Sequence, residues 1–221
     1  MGALHKLDRA LLEKARALPP SAPAAPISMP GTATPGAKTA EHGIPLQRAH
    51  DSFKSFDRRR NPGMKLAVER CWQVADGSAW CVLLSGGFGT GKTHLAIATL
   101  MAWIGNGGAG YFWKVPDFLD WLRQRAYGDG AHWSIEELTE SYRSGPALIV
   151  FDDLGTENPT EWAHEQLYRV LDSRYDRRLP TVLTTNQDLG RIDGRILSRY
   201  REGLVVCRGR DMRARPGEEE P

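Results

Sequence analysis

The run Gly86-Gly-Phe-Gly-Thr-Gly-Lys92-Thr93 follows an apolar stretch, Ala79–Leu84, and opens a helical one, Thr93–Ile104. No other feature restricts the fold of the chain as tightly. A G-x-x-x-x-G-K-[S/T] run has physical meaning where a strand hands over to a helix. Its glycines let successive backbone N–H groups turn inward as a nest for phosphate, and the new helix adds the positive end of its dipole. The lysine reaches the β- and γ-phosphates of a nucleotide, and the threonine hydroxyl is an oxygen ligand for Mg2+. Gly86, Gly87, Phe88, Gly89, Thr90, Gly91, Lys92 and Thr93 are therefore candidate ATP-binding residues. His94 joins them by position; it is expected to pack or cap locally and is assigned no catalytic role.

The rest of the chain alternates in a way that suits this start. Helical patterns at Pro62–Ala75, Phe118–Ala126, Ser134–Arg143, Glu161–Arg177 and Asp193–Arg201 separate short apolar runs at Tyr111–Lys114, Leu148–Phe151, Thr181–Thr185 and Leu204–Cys207. Ser134 with Glu137 reads as a capping box. Continuous apolar runs separated by helices predict an α/β fold with a parallel sheet covered on both faces.

Two further groups carry chemistry. The apolar run Ala147–Phe151 ends in Asp152–Asp153, which delivers carboxylates to the C-terminal edge of the sheet beside the phosphate loop. Asp152 is expected to hold magnesium, directly or through water. Asp153 stands where many such ATPases carry a Glu that polarises the attacking water; its side chain is one methylene shorter. Thr184-Thr185-Asn186 closes the next strand, and Asn186 can hydrogen-bond the water lined up against the γ-phosphate. Asn after a strand is also an ordinary turn residue. Arg195 and Arg199 fall on one face of a short helix. Such an arginine can complete a neighbouring subunit's site, or it can simply be solvated.

Composition narrows the setting. Of 29 basic residues 22 are Arg, against 27 acids and a net charge of +2, a bias compatible with polyanion partners and equally with a GC-rich genome. Cys71, Cys81 and Cys207 are widely spaced, so they are expected as buried thiols in a reducing compartment. No apolar run approaches the roughly 18 residues of a membrane helix, and the charged N-terminus is unlike a signal peptide; a cytosolic location is expected. Residues 3–18 read as an amphipathic helix with a leucine stripe, stopped by Pro19-Pro20. The Pro/Ala-rich tract at 19–42 reads as a flexible linker. We therefore divide the chain into a candidate partner-binding helix at 1–18, the linker, an ATPase domain at 43–215 and an acidic tail at 216–221.

The ordered set of motifs resembles the AAA+ ATPases of the DnaC/IstB type, the replicative helicase loaders and transposase-helper ATPases. The resemblance runs over about residues 43–213. It is carried by Gly43-Ile-Pro45 with Phe53 and Phe56, Gly91–Ala96, Asp152-Asp-Leu-Gly155, Thr184–Asn186, Arg195 with Ser198-Arg199, and Gly209–Arg213. It implies a P-loop AAA+ three-layer αβα domain with a five-stranded parallel sheet. Asn186 would be sensor 1, Arg199 an arginine finger acting in trans, and Arg213 a nucleotide-sensor candidate. The stretch after Arg199 is too short for a full helical lid, as in the helicase loaders. The resemblance also implies single-stranded DNA contacts between the second strand and the acidic strand. That segment holds Tyr111, Trp113, Trp121, His132 and Trp133, and within it Arg123, Arg125 and Tyr127 are the candidates for exposed contacts.

Four functions compete at this stage. The first is a loader that places a replicative ring helicase on single-stranded DNA with ATP as its switch, gripping its client through the N-terminal helix and self-associating to share ATP sites. The others are a transposase-helper ATPase, a small-molecule kinase, for which no acceptor pocket or lid segment is visible, and a nucleotide-binding scaffold that hydrolyses weakly.

Overall fold

The computed structural model describes residues 42–59, 61–128, 134–157, 160–209 and 211–212. The expected N-terminal helix, the linker up to residue 41, the acidic tail, His132, Trp133 and Arg213 lie outside the described residues. Among the described residues five strands, β1 (Cys81–Ser85), β2 (Gly110–Lys114), β3 (Leu148–Asp152), β4 (Thr181–Thr185) and β5 (Leu204–Val206), form one sheet in the order β2-β3-β4-β1-β5. Every pairing is parallel. The helices are α1 (Lys65–Ala75), α2 (Lys92–Gly105), α3 (Val115–Tyr127), α4 (Ile135–Ser144), α5 (Glu161–Asp176) and α6 (Gly194–Arg199).

The apolar runs are continuous because both faces of the sheet are covered, and successive side chains alternate between two cores. Val82, Leu84, Val150 and Val182 enter one core with α1, α2 and the segment carrying Ile44, Phe53 and Phe56. Leu83, Ile149, Phe151 and Leu183 enter the other with α3, α5 and α6. The three-layer arrangement and five parallel strands expected from the sequence are thus present. No helix among the described residues is long and apolar enough to cross a membrane.

Boundaries moved where local chemistry overrode the pattern. The helix expected from Phe118 starts at Val115 because Pro116 sits in its first turn, where the missing N–H costs no hydrogen bond. The one expected from Pro62 begins as a 3-10 turn, Pro62–Met64. The capping box forms: Ser134 Oγ accepts from the Glu137 N–H at 3.2 Å and the Glu137 carboxylate accepts from the Ser134 N–H at 2.8 Å. All three cysteines are free and buried, and burial pushes the Cys71 thiol up to about 12.

The edge of the sheet away from the phosphate loop is fastened by Arg174, which sequence reading did not single out. It is completely buried on α5. Its guanidinium donates to the carbonyls of Tyr142 (2.6 Å), Ala147 (2.8 Å) and Pro180 (2.7 Å) and to Thr181 Oγ1 (3.0 Å). Burial lowers its pKa to about 10, so it stays charged at neutral pH while joining α4, α5 and the starts of β3 and β4. Arg174→Ala removes the guanidinium from these buried acceptors, of which only the Pro180 carbonyl keeps a backbone donor, the Ile149 N–H at 3.1 Å, among the described contacts; it should cost about 3 kcal/mol or more in denaturant unfolding. A loss below about 1 kcal/mol, typical of an exposed side chain, would show that the staple is dispensable.

Candidate nucleotide-binding site

The phosphate loop leaves β1 at Gly86 and enters α2 at Lys92. Its tight course needs glycine at two positions in particular. Gly89 has φ 67° and a Cβ there would fall 1.6 Å from the Asp211 carboxylate. Gly91, the N-cap of α2, has φ 97° and lies against Phe56 and Met212. Both are left-handed conformations that a side chain disfavours.

Lys92 is 4% exposed and its Nζ donates to the carbonyls of Gly86 (2.7 Å) and Gly87 (2.6 Å), and to Thr90 Oγ1 (3.3 Å). The loop therefore holds the ammonium at its own mouth. One residue on, Thr93 Oγ1 donates to Asp152, 3.0 and 3.2 Å from its two carboxylate oxygens. Thr184 Oγ1, from β4, donates to the same carboxylate at 2.6 Å. Asp152 is 1% exposed. Burial raises its pKa, opposed by the Thr184 hydrogen bond, and the neighbouring Asp153 charge raises it further. A buried carboxylate beside a hydroxyl is a hard oxygen pair, and it fits magnesium.

Asp153 takes φ 61°, a left-handed conformation that Asp tolerates better than most residues. The turn is clamped to the end of β4. The Asp153 N–H donates to Thr184 Oγ1 at 3.1 Å, the Leu154 N–H to the Thr184 carbonyl at 2.8 Å, and Thr185 Oγ1 to the Leu154 carbonyl at 2.7 Å. This bend points Asp153 away from Asp152 and toward Asn186, whose Nδ2 donates to Asp153 Oδ1 at 2.9 Å. Two adjacent acids thus receive separate environments, one buried and one half-buried.

A cavity of about 430 Å³ brings together Phe88, Gly89, Gly91, Lys92, Thr93, His94, Asp152, Asp153 and Asn186 of the sequence-predicted residues. It also takes in Pro45, Gln47, Arg48, Lys114 and Met212, which sequence reasoning did not assign to the site. Lys114 was findable: it closes β2 and is in register with Asp152 on β3, at the sheet edge where parallel α/β folds bind ligands. Arg48 gives no such signal, being in an isolated 3-10 turn. His94 does more than cap: its Nε2 lies 2.9 Å from the Ser52 carbonyl and 3.1 Å from Ser55 Oγ.

Arg195 and Arg199 do not line this cavity. Arg199 forms an ion pair with Asp172 and lies over the Tyr168 ring at 5.1 Å. Among the described residues its Nε has no hydrogen-bond partner despite that contact, so the pair is held by charge and not by an aligned bond. Arg195 pairs with Asp193 at 2.7 Å and stacks over Tyr168 at 4.0 Å. Of the DNA candidates, Arg123 and Tyr127 are exposed and Arg125 is half-buried. Arg123 lies over Trp162 at 4.9 Å, and Tyr127 packs edge-on to the same ring at 6.3 Å. Trp113 and Trp121, from the aromatic-rich segment, are buried in the core.

A family described as IstB-like ATP binding protein matches residues 49–196. The chain belongs to this IstB-like ATP-binding family. It is 30% identical over 148 residues to a putative ATP-binding protein in an insertion sequence of Mycobacterium tuberculosis, covering 63% of this chain and 54% of that protein. It is 26% identical over 168 residues to the replicative helicase loader DnaC of Escherichia coli, covering 73% and 67%. The chain spans about half the length of the insertion-sequence relatives it matches, 54% of one and 41% of another. The crystal structure of the DnaC helicase loader superposes with a TM-score of 0.63 at 23% identity, over 74% of this chain and all of that one. The replication initiator DnaA bound to AMPPCP and single-stranded DNA gives 0.57 at 24% identity, over 66% of this chain and 46% of that one. The IstB-like chain has the AAA+ P-loop fold of these proteins.

The raised pKa of Asp152 fixes a sign. Its folded value lies above the unfolded one, so ionisation at neutral pH opposes folding, and this cost disappears as pH falls below the unfolded value. Asp152→Asn should therefore leave the melting temperature of the nucleotide-free protein unchanged or higher, yet abolish magnesium-dependent nucleotide binding. A clear drop in melting temperature would mean that the carboxylate is a net structural support.

Proposed function

We propose that this IstB-like protein is a magnesium-dependent ATPase that loads a replicative ring helicase onto single-stranded DNA. The observation that carries the catalytic part is the separation of Asp152 from Asp153 by the left-handed bend, with Asn186 on the second carboxylate. Lys92 and the loop amides bind the β- and γ-phosphates. Thr93 and Asp152 would hold magnesium, which when bound neutralises charge on the transferring phosphate. Asp153 orients the attacking water and accepts its proton, while Asn186 fixes the Asp153 side chain. The left-handed bend at Asp153 and its contact with Asn186 support this role for the shorter acid.

Arg199 lies on an outer helix, α6, away from its own cavity, which suits an arginine supplied to a neighbouring copy's γ-phosphate. Arg195 is a secondary candidate for the same role, and Arg213, outside the described residues, is a candidate nucleotide sensor. The surface of Arg123, Arg125 and Tyr127 is our candidate for single-stranded DNA, by phosphate contact and stacking. The N-terminal helix, on its linker, is the candidate grip on the client. A second reading, an insertion-sequence helper acting with a transposase, is favoured by the M. tuberculosis relative at 30% identity. Purified ring helicase and cognate transposase, offered separately with single-stranded and duplex DNA, discriminate the two: a loader binds the helicase and responds to the single strand.

Arg199→Ala should fold, bind ATP and lose turnover by a factor of about 10³ or more if the finger acts in trans. Mixed with Lys92→Ala protein, it should regain part of the activity through heteromers that pair an intact loop with an intact finger. No recovery at any ratio would show that the sites are not shared.

A further inference from the structure

We propose that Arg48 contacts the terminal phosphate of the bound nucleoside triphosphate from within the same chain, held in place by Asp51 and His94. The inference rests on the ATP-binding reading above and adds a cation that neither the loop nor a neighbouring subunit supplies.

Arg48 ends the short turn Leu46–Arg48 on the segment that precedes α1. A surface arginine there would ordinarily be solvated and mobile. This one is only 31% exposed at its side chain, and its Nη1 donates to Asp51 Oδ2 at 3.0 Å. The other carboxylate oxygen of Asp51 lies 3.5 Å from His94 Nδ1. His94 sits on the first turn of α2, beside Thr93, and its far nitrogen meets the Ser52 carbonyl at 2.9 Å. Phe56 packs edge-on against its ring, 5.4 Å between centroids. The start of the phosphate-loop helix therefore sets the position of Asp51, and Asp51 sets that of Arg48.

The place Arg48 occupies says what it recognises. It lines the cavity together with Lys114, Asp152 and Asp153, and Lys114 is in register with Asp152 on the neighbouring strand. On the ATP-binding reading, the two carboxylates mark the end of the cavity that takes the metal and the phosphate furthest from the ribose. The charge of Arg48 also acts favourably on the Asp152 carboxylate. A triphosphate brought to two carboxylates needs compensating cations, and a planar guanidinium donates to phosphate oxygens in pairs. A diphosphate leaves that end of the cavity without its anion. The contact would thus favour ATP over ADP, and the nucleotide state would be felt by the segment that leads back toward residues 1–41.

Calorimetric titration of the full chain with a non-hydrolysable ATP analogue and with ADP, each with magnesium, tests this. Arg48→Ala should weaken the analogue by about tenfold or more, one charge-assisted contact, and ADP by no more than about twofold. Arg48→Lys should recover part of the loss, and Asp51→Asn should show a smaller loss with the same preference. The melting temperature of each nucleotide-free variant should match wild type. Equal losses for both nucleotides, or no loss, would overturn the role of Arg48 and leave ATP binding standing. Wild-type protein that binds neither nucleotide would remove the ATP reading itself.

Discussion

The Asp152 carboxylate is the constraint on which the site depends. It ends β3 inside the protein and receives the hydroxyls of Thr93 from α2 and Thr184 from β4. One charge thereby ties the phosphate-loop helix to two central strands. Two hydroxyl donors offset only part of the cost of burying a carboxylate, and its raised pKa records the remainder. On the proposed function a divalent cation would offset that remainder. On that proposal the carboxylate whose burial costs the empty fold would be the one that holds the metal, so stability and function would oppose each other at this residue.

The two edges of the sheet are built differently. At the edge away from the loop, Arg174 fastens strand starts and helices through four hydrogen bonds to neutral acceptors. At the loop edge the charges are arranged around a cavity. Thr184 links the two acids there: its hydroxyl donates to Asp152 and accepts from the Asp153 backbone. That double use aligns the bend that sends Asp153 to Asn186.

Much of this was legible in the sequence because it follows from local rules. The loop, the acids after an apolar run and Asn186 after the next run all sit at strand ends, and parallel strands deliver their ends to one edge. What stayed hidden depends on contacts between distant segments. Arg48 and Arg174 look like ordinary charged residues until His94 and the carbonyls around Arg174 are in place. The aromatic-rich segment reads as a stacking surface, yet Trp113 and Trp121 turn inward and leave Tyr127 exposed. Spacing identified one helical face for Arg195 and Arg199 correctly, but their engagement with Tyr168 and Asp172 needed the packing of α6 on α5.

The central claim is that adjacent acids divide the work, Asp152 binding the metal and Asp153 acting on the water. Single-turnover phosphate release from Asp153→Asn protein, measured beside its ATP affinity, tests it most directly. We predict an affinity within about twofold of wild type, with phosphate release slower by about a hundredfold or more, the scale of a lost general base. Near-wild-type release, or an affinity that collapses together with the rate, would contradict the division.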